Sequence, residues 1–123
     1  MSKPYYVGSY RDDSLNGLNR GWIVGTFLAD EPRQTEEVEI KYWEFKKGEA
    51  ANHPLKSSSI IECTFVLKGS VKALIDNEEV VLGAGQYAVI HPGTPNNLIV
   101  EILEDCAGLT VKAPSDPTAK QVL

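Results

Sequence analysis

The chain has 123 residues, 42% hydrophobic and 24% charged, a composition that gives one domain with a single core and argues against wholesale disorder. Its 12 Lys and Arg against 17 Asp and Glu leave a net charge of −5, and the basic residues are scattered, which argues against a nucleic-acid surface. No apolar run approaches the ~18 residues of a membrane span and the first residues lack a signal-peptide core, so no membrane partner and a cytoplasmic location are expected.

Residues 1–20 are polar and turn-rich, with Arg11-Asp12-Asp13-Ser14 and Asn16-Gly17 as loop signals. They are predicted to form an N-terminal arm over a barrel end, with a short strand at 5–7. Residues 22–28 are apolar, β-branched and aromatic, which favours a strand, and Gly25 within them marks a bulge or a close backbone approach. In 38–46, Val38, Ile40 and Tyr42 alternate with charged residues before Trp43 and Phe45 take over the apolar parity. Either a bulge flips the register there or both faces are covered. The stretch 47–59 carries Gly48, Asn52, Pro54 and three consecutive serines, and reads as a long loop of the kind that is commonly functional.

Residues 60–67 form the clearest buried strand, apolar on both parities. Gly69 turns the chain into a strand at 71–75, and Asp76-Asn77-Glu78 makes a hairpin turn into 80–82. Strands at 87–90, 98–102 and 109–111 complete a set whose spacing indicates an all-β sandwich or barrel. No helical period is found. The tail 113–123 has two prolines and little to bury, although its final Val122-Leu123 suits docking on a neighbour. Cys63 and Cys106 each lie in an apolar run without CxxC spacing, and read as small buried hydrophobes rather than zinc ligands.

Glu62 needs an explanation. It shares a parity with Ile60, Thr64 and Val66, and a carboxylate there is costly to bury unless something pairs with it. It either faces solvent at an edge or faces the polar interior of a small barrel that holds a ligand. Lys41 is a candidate counter-charge, or simply solvent-facing. His53 lies on a loop or a pocket lip, and His91 continues the parity of Tyr87 and Val89 just before Pro92. Asn96 can donate and accept, which suits recognition of a hydroxyl or carbonyl, or it caps the turn after Pro95. Trp43, Tyr42, Phe45 and Phe65 are assigned mainly to the core.

Gly48, His53, Glu62 seven residues before Gly69, and Gly85 followed by Pro92-Gly93-Thr94-Pro95-Asn96-Asn97 together resemble the two-motif pattern of the cupin superfamily. The resemblance implies an antiparallel double-stranded β-helix, a jelly-roll barrel, over residues 21–112, with 1–20 as the arm and 113–123 as the tail. It further implies a homodimer and a metal held by three histidines and one glutamate. Glu62 matches that glutamate. The paired histidines would fall near Leu55 and Ser57, or Lys56 and Ser58, where there is none, and Asn96 replaces the histidine of the second motif.

Iron and zinc sites take three or four donors from the protein. One carboxylate, one displaced imidazole and an amide fall short of that. The expectation is a cupin without metal or other cofactor whose barrel binds a small polar molecule through His53, Glu62, Thr64, Tyr87, His91 and Asn96. The alternative is a small enzyme: a metal-independent isomerase, epimerase or lyase with His53 or His91 as base and Tyr87 or Glu62 as acid, or a non-standard metal site built from His53, Glu62 and His91.

Overall fold

The computed structural model describes residues 4–15, 20–29, 32–49 and 53–123. The turn signal Asn16-Gly17 and the loop residue Asn52 lie outside the described residues. Ten strands follow one another along the chain: β1 (Trp22–Val24), β2 (Glu39–Phe45), β3 (Lys56–Ser58), β4 (Ile61–Lys68), β5 (Ser70–Ile75), β6 (Glu78–Gly83), β7 (Tyr87–Ile90), β8 (Asn96–Ile102), β9 (Cys106–Ala113) and β10 (Lys120–Val122). They build two five-stranded antiparallel sheets, one in the order β1-β2-β9-β4-β7 and the other in the order β10-β3-β8-β5-β6. The architecture is the double-stranded β-helix of a jelly roll.

Side-chain alternation explains the layering. In β4, Glu62, Thr64 and Val66 are buried on the inner face, while Ile61, Phe65 and Leu67 are exposed on the outer one. In β2 the pairing with β9 runs unbroken from Glu39↔Lys112 to Phe45↔Cys106, so no bulge flips the register. Both faces are covered instead: Trp43 and Phe45 share the inner parity, and Tyr42 on the outer face stacks under Tyr10 with ring centroids 4.5 Å apart.

Local turn chemistry sets the hairpins. Asp76 and Asn77, both at positive φ, form the two-residue loop between β5 and β6, the backbone that a right-handed strand twist demands. Gly69 adopts φ +74° where a Cβ would meet the Asp105 carbonyl, so glycine is required there.

Two terminal segments differ from expectation. No strand forms at 5–7. A helix, α1 (Tyr10–Leu15), follows instead, too short to show a period in the sequence. It is fastened by the buried Arg33, whose guanidinium donates to Asp13 Oδ1 and to the carbonyls of Ile23 and Trp22, each at 3.0 Å. The tail does bury surface. Ala119 and Ser115 are buried and β10 pairs with β3 along Lys120↔Ser58 to Val122↔Lys56. Neither β3 nor β10 alternates apolar with polar residues, so only backbone pairing reveals them.

The core of Trp43, Val66, Val71, Ala73, Leu82, Ile99, Ile102 and Cys106 fills part of the space between the sheets. Cys106 belongs to it, as expected, whereas Cys63 is half-buried on the outer face. Gly108 lets the Trp43 indole lie across β9, because a Cβ there would collide with the ring and with the Phe65 carbonyl. Beyond this packed region the inner surface turns polar.

Candidate functional site

The registers of β2, β9 and β4 set inward-facing residues in rows across the first sheet. One row is Glu39–Lys112–Glu62, the next Lys41–Thr110–Thr64, and the third Trp43–Gly108–Val66. The third row floors the core. The first two open on a cavity of about 890 Å³ between the sheets, with Trp43, Phe45, Leu98 and Ile99 as its apolar wall. That volume lies in the range of small-molecule sites.

Glu62 is 2% exposed, and its burial is offset by two ammonium groups, Lys56 Nζ at 2.7 Å and Lys112 Nζ at 3.8 Å from Oε1. Burial lowers the Lys56 pKa and outweighs the opposing pull of Glu62. Burial raises the carboxyl pKa of Glu39, with Lys112 pulling it the other way. Lys41 is neither the counter-charge of Glu62 nor solvent-facing. It points into the cavity, its ammonium 5.4 Å from the centroid of the Trp22 ring. Burial lowers its pKa, and the charges of Lys112, Lys120 and Arg20 lower it further. Below it, Trp43 Nε1 donates to Thr110 Oγ1 at 3.1 Å, and the hydroxyls of Thr110 and Thr64 share a bond of 3.0 Å.

His53 stands at the lip, edge-on to Phe45 with centroids 5.7 Å apart. Burial, then the charges of Lys41, Lys120 and Lys56, push its pKa down and favour the neutral imidazole. Asn97 lines the cavity and holds this lip, its Nδ2 donating to the His53 carbonyl at 2.9 Å.

Of the six residues expected at the site, His53, Glu62 and Thr64 come together on the cavity wall. Tyr87 and His91 do not. In β7 the pairs Phe65↔Tyr87 and Cys63↔Val89 put the parity shared by Tyr87, Val89 and His91 on the outer face, and Tyr87 is 64% exposed there. Asn96 is buried away from the wall. Its Nδ2 donates to the Thr94 carbonyl at 3.0 Å and its Oδ1 has no partner among the described residues. Its neighbour Asn97 lines the cavity instead, next to the irregularity in the β5–β8 ladder. Sequence reasoning passed over Lys56, Lys112 and Thr110, and it left Lys41 undecided. Lys56 carried a signal, since it occupies one of the positions where a ligand histidine was sought.

The residues present do not fit the metal that such a fold implies. The one matching carboxylate is capped by the Lys56 ammonium, His91 faces the other side of the sheet, and the described residues contain no group of three or more His, Cys, Asp or Glu able to hold an ion.

Comparison with solved structures gives the same architecture at low identity. A double-stranded β-helix protein from Klebsiella pneumoniae is 18% identical, with 72% of this chain and 76% of that one covered at a TM-score of 0.61. The nucleoside dehydratase Pac13 of Streptomyces is 12% identical, covering 75% and 72% at a TM-score of 0.62. The DMSP lyase DddQ from Ruegeria pomeroyi is 17% identical, covering 72% of this chain and 44% of its own at a TM-score of 0.58. No curated protein matches the chain by sequence. The model of the cupin domain family matches residues 41–111. That match runs from the cavity lysine of β2 to Val111 in β9, and with two facing antiparallel sheets in jelly-roll order the chain belongs to the cupin family.

Proposed function

We propose that this cupin takes a small polar organic molecule into the cavity between its sheets and holds it without a metal. The observation supporting this reading is the Lys56–Glu62–Lys112 cluster beside a cavity of about 890 Å³: lysine ammonium groups neutralise the glutamate that a metal would otherwise use. Thr64, Thr110, Lys41, His53 and Asn97 supply directional groups, and Trp43 with Phe45 supplies apolar surface. The test is a thermal-shift screen of small polar compounds against the wild type and Leu98→Trp, which fills the cavity. A subset of compounds is expected to raise Tm in the wild type alone. Elemental analysis of protein purified without chelators is expected to find no stoichiometric transition metal. A bound metal released by Glu62→Gln would sink the metal-free reading.

A second reading uses the same cavity for catalysis. Its support is the neutral His53 imidazole at the cavity lip, placed as a general base for an isomerase or lyase reaction. The likeness in fold to a nucleoside dehydratase and a DMSP lyase is consistent with it. His53→Gln should then abolish turnover of any ligand that the screen finds while leaving its binding intact.

A further inference from the structure

The two polar rows of the cavity differ in how their charges are met. In the first, Lys112 lies between Glu39 and Glu62, and Glu62 also holds Lys56. In the second, Lys41 has no carboxylate partner among the described residues, and the charged groups that act on it most are the cations Lys112, Lys120 and Arg20. The aromatic face of Trp22 at 5.4 Å attracts the ammonium but leaves its charge uncompensated. Six of the chain's 12 Lys and Arg line this cavity together with five carboxylates, and the half-buried Lys41 pairs with none of the five among the described residues.

Hydroxyl hydrogens give a second, independent count. Trp43 Nε1–H donates to Thr110, and Thr110 and Thr64 share one hydrogen bond. Two hydroxyls bring two hydrogens, and the bond between them consumes one. Whichever threonine donates to the other, one O–H remains without an acceptor among the described residues. It lies in the row of Lys41, because Thr110 is the residue directly opposite Lys41 in the β2–β9 ladder. An ammonium without a carboxylate partner and a hydroxyl with a hydrogen to donate therefore share one row of the wall. A carboxylate answers both, since it accepts only and carries the missing charge.

We propose that the ligand is a small organic anion whose carboxylate binds between the Lys41 ammonium and the free hydroxyl of the Thr64–Thr110 pair, with its carbon body against Trp43 and Phe45. This rests on the reading of the cavity as a small-molecule site and narrows the class of molecule.

The test is calorimetric titration of the full chain with acetate, pyruvate and benzoate, with their neutral amides, and with inorganic phosphate. At least one carboxylate should bind, with its amide weaker by at least about tenfold, the difference expected of one charge-assisted hydrogen bond. Lys41→Met should weaken the carboxylate by a similar factor and the amide by less, and Lys41→Arg should restore carboxylate binding. Near-ultraviolet circular dichroism checks that the variants fold, and the comparison of acid with amide on the wild type decides the matter if they do not. Amides that bind as tightly as their acids overturn the anion while leaving a small-molecule site in place. Phosphate that displaces the carboxylate at equal affinity overturns the carboxylate. If no probe, charged or neutral, binds, this inference falls together with the reading beneath it.

Discussion

The ammonium of Lys56 lies 2.7 Å from Glu62 Oε1, and the two residues belong to different sheets, Lys56 to β3 in one and Glu62 to β4 in the other. The ion pair clips the layers together at the polar end of the interior. Removing one partner of a buried pair strands the other, so Lys56→Met should cost about 3 kcal/mol of stability in urea denaturation even with Lys112 still near the carboxylate. The double variant Lys56→Met with Glu62→Gln should recover most of that loss. A single variant as stable as the wild type would show that the pair contributes nothing.

Gly108 faces Trp43 across the β2–β9 ladder at a site with no room for a Cβ. Gly108→Ala should lower stability by about 2 kcal/mol through overpacking, and the displaced indole should loosen its bond to Thr110. A shift in tryptophan emission together with a lower denaturation midpoint is the expected pair of signals.

His53 has its pKa pushed below the ordinary 6.5, chiefly by burial. The unfolded chain therefore takes up this proton first as pH falls, and stability present above pH 6.5 is lost as the pH drops through the folded-state value. Melting temperatures measured from pH 7 downward should fall across that window, by less in His53→Gln than in the wild type. Equal slopes would remove His53 from the acid response.

Burial, then the hydrogen bond that its hydroxyl donates to Glu44 at 2.9 Å, raises the Tyr42 pKa from 10.0 to about 12. Titration of tyrosinate absorbance should show a late phase near that value, absent in Tyr42→Phe. Because the unfolded chain loses this proton first, the tyrosine's contribution to stability falls as pH rises through 10. Ionisation of every tyrosine near pH 10 would contradict the packing of Tyr42 beneath Tyr10.

The strands that carry strong apolar character were legible in the sequence, and so was the Asp76-Asn77 hairpin, because alternation and turn residues are local properties. β3 and β10 were not, since Lys56, Ser57, Lys120 and Gln121 enter a sheet through backbone hydrogen bonds that any residue can make. The inward facing of Glu62 and Thr64 was legible, because the strand alternates clearly about them. The site was misread at β7, where Tyr87 and His91 look as chemically able as any inward residue and only the pairing with Cys63 and Phe65 shows that they point outward. The partners of Glu62 were hidden for another reason. A lysine at the place of a missing histidine reads as loss of a ligand until the ammonium is seen against the carboxylate.

The pairing of β10 with β3 has a bearing on where the working unit of this chain stops. The family match closes at residue 111, yet Asp116, Pro117, Ala119 and Lys120 wall the cavity, and Leu123 N donates to the Leu55 carbonyl at 3.0 Å, one residue before Lys56. A minimal domain trimmed to the family match would expose the backbone of β3 as a bare edge and open one flank of the pocket. It would misreport the site, because Lys112 lies beyond the match and the strand that aims Lys56 at Glu62 is held in register by residues 120–123.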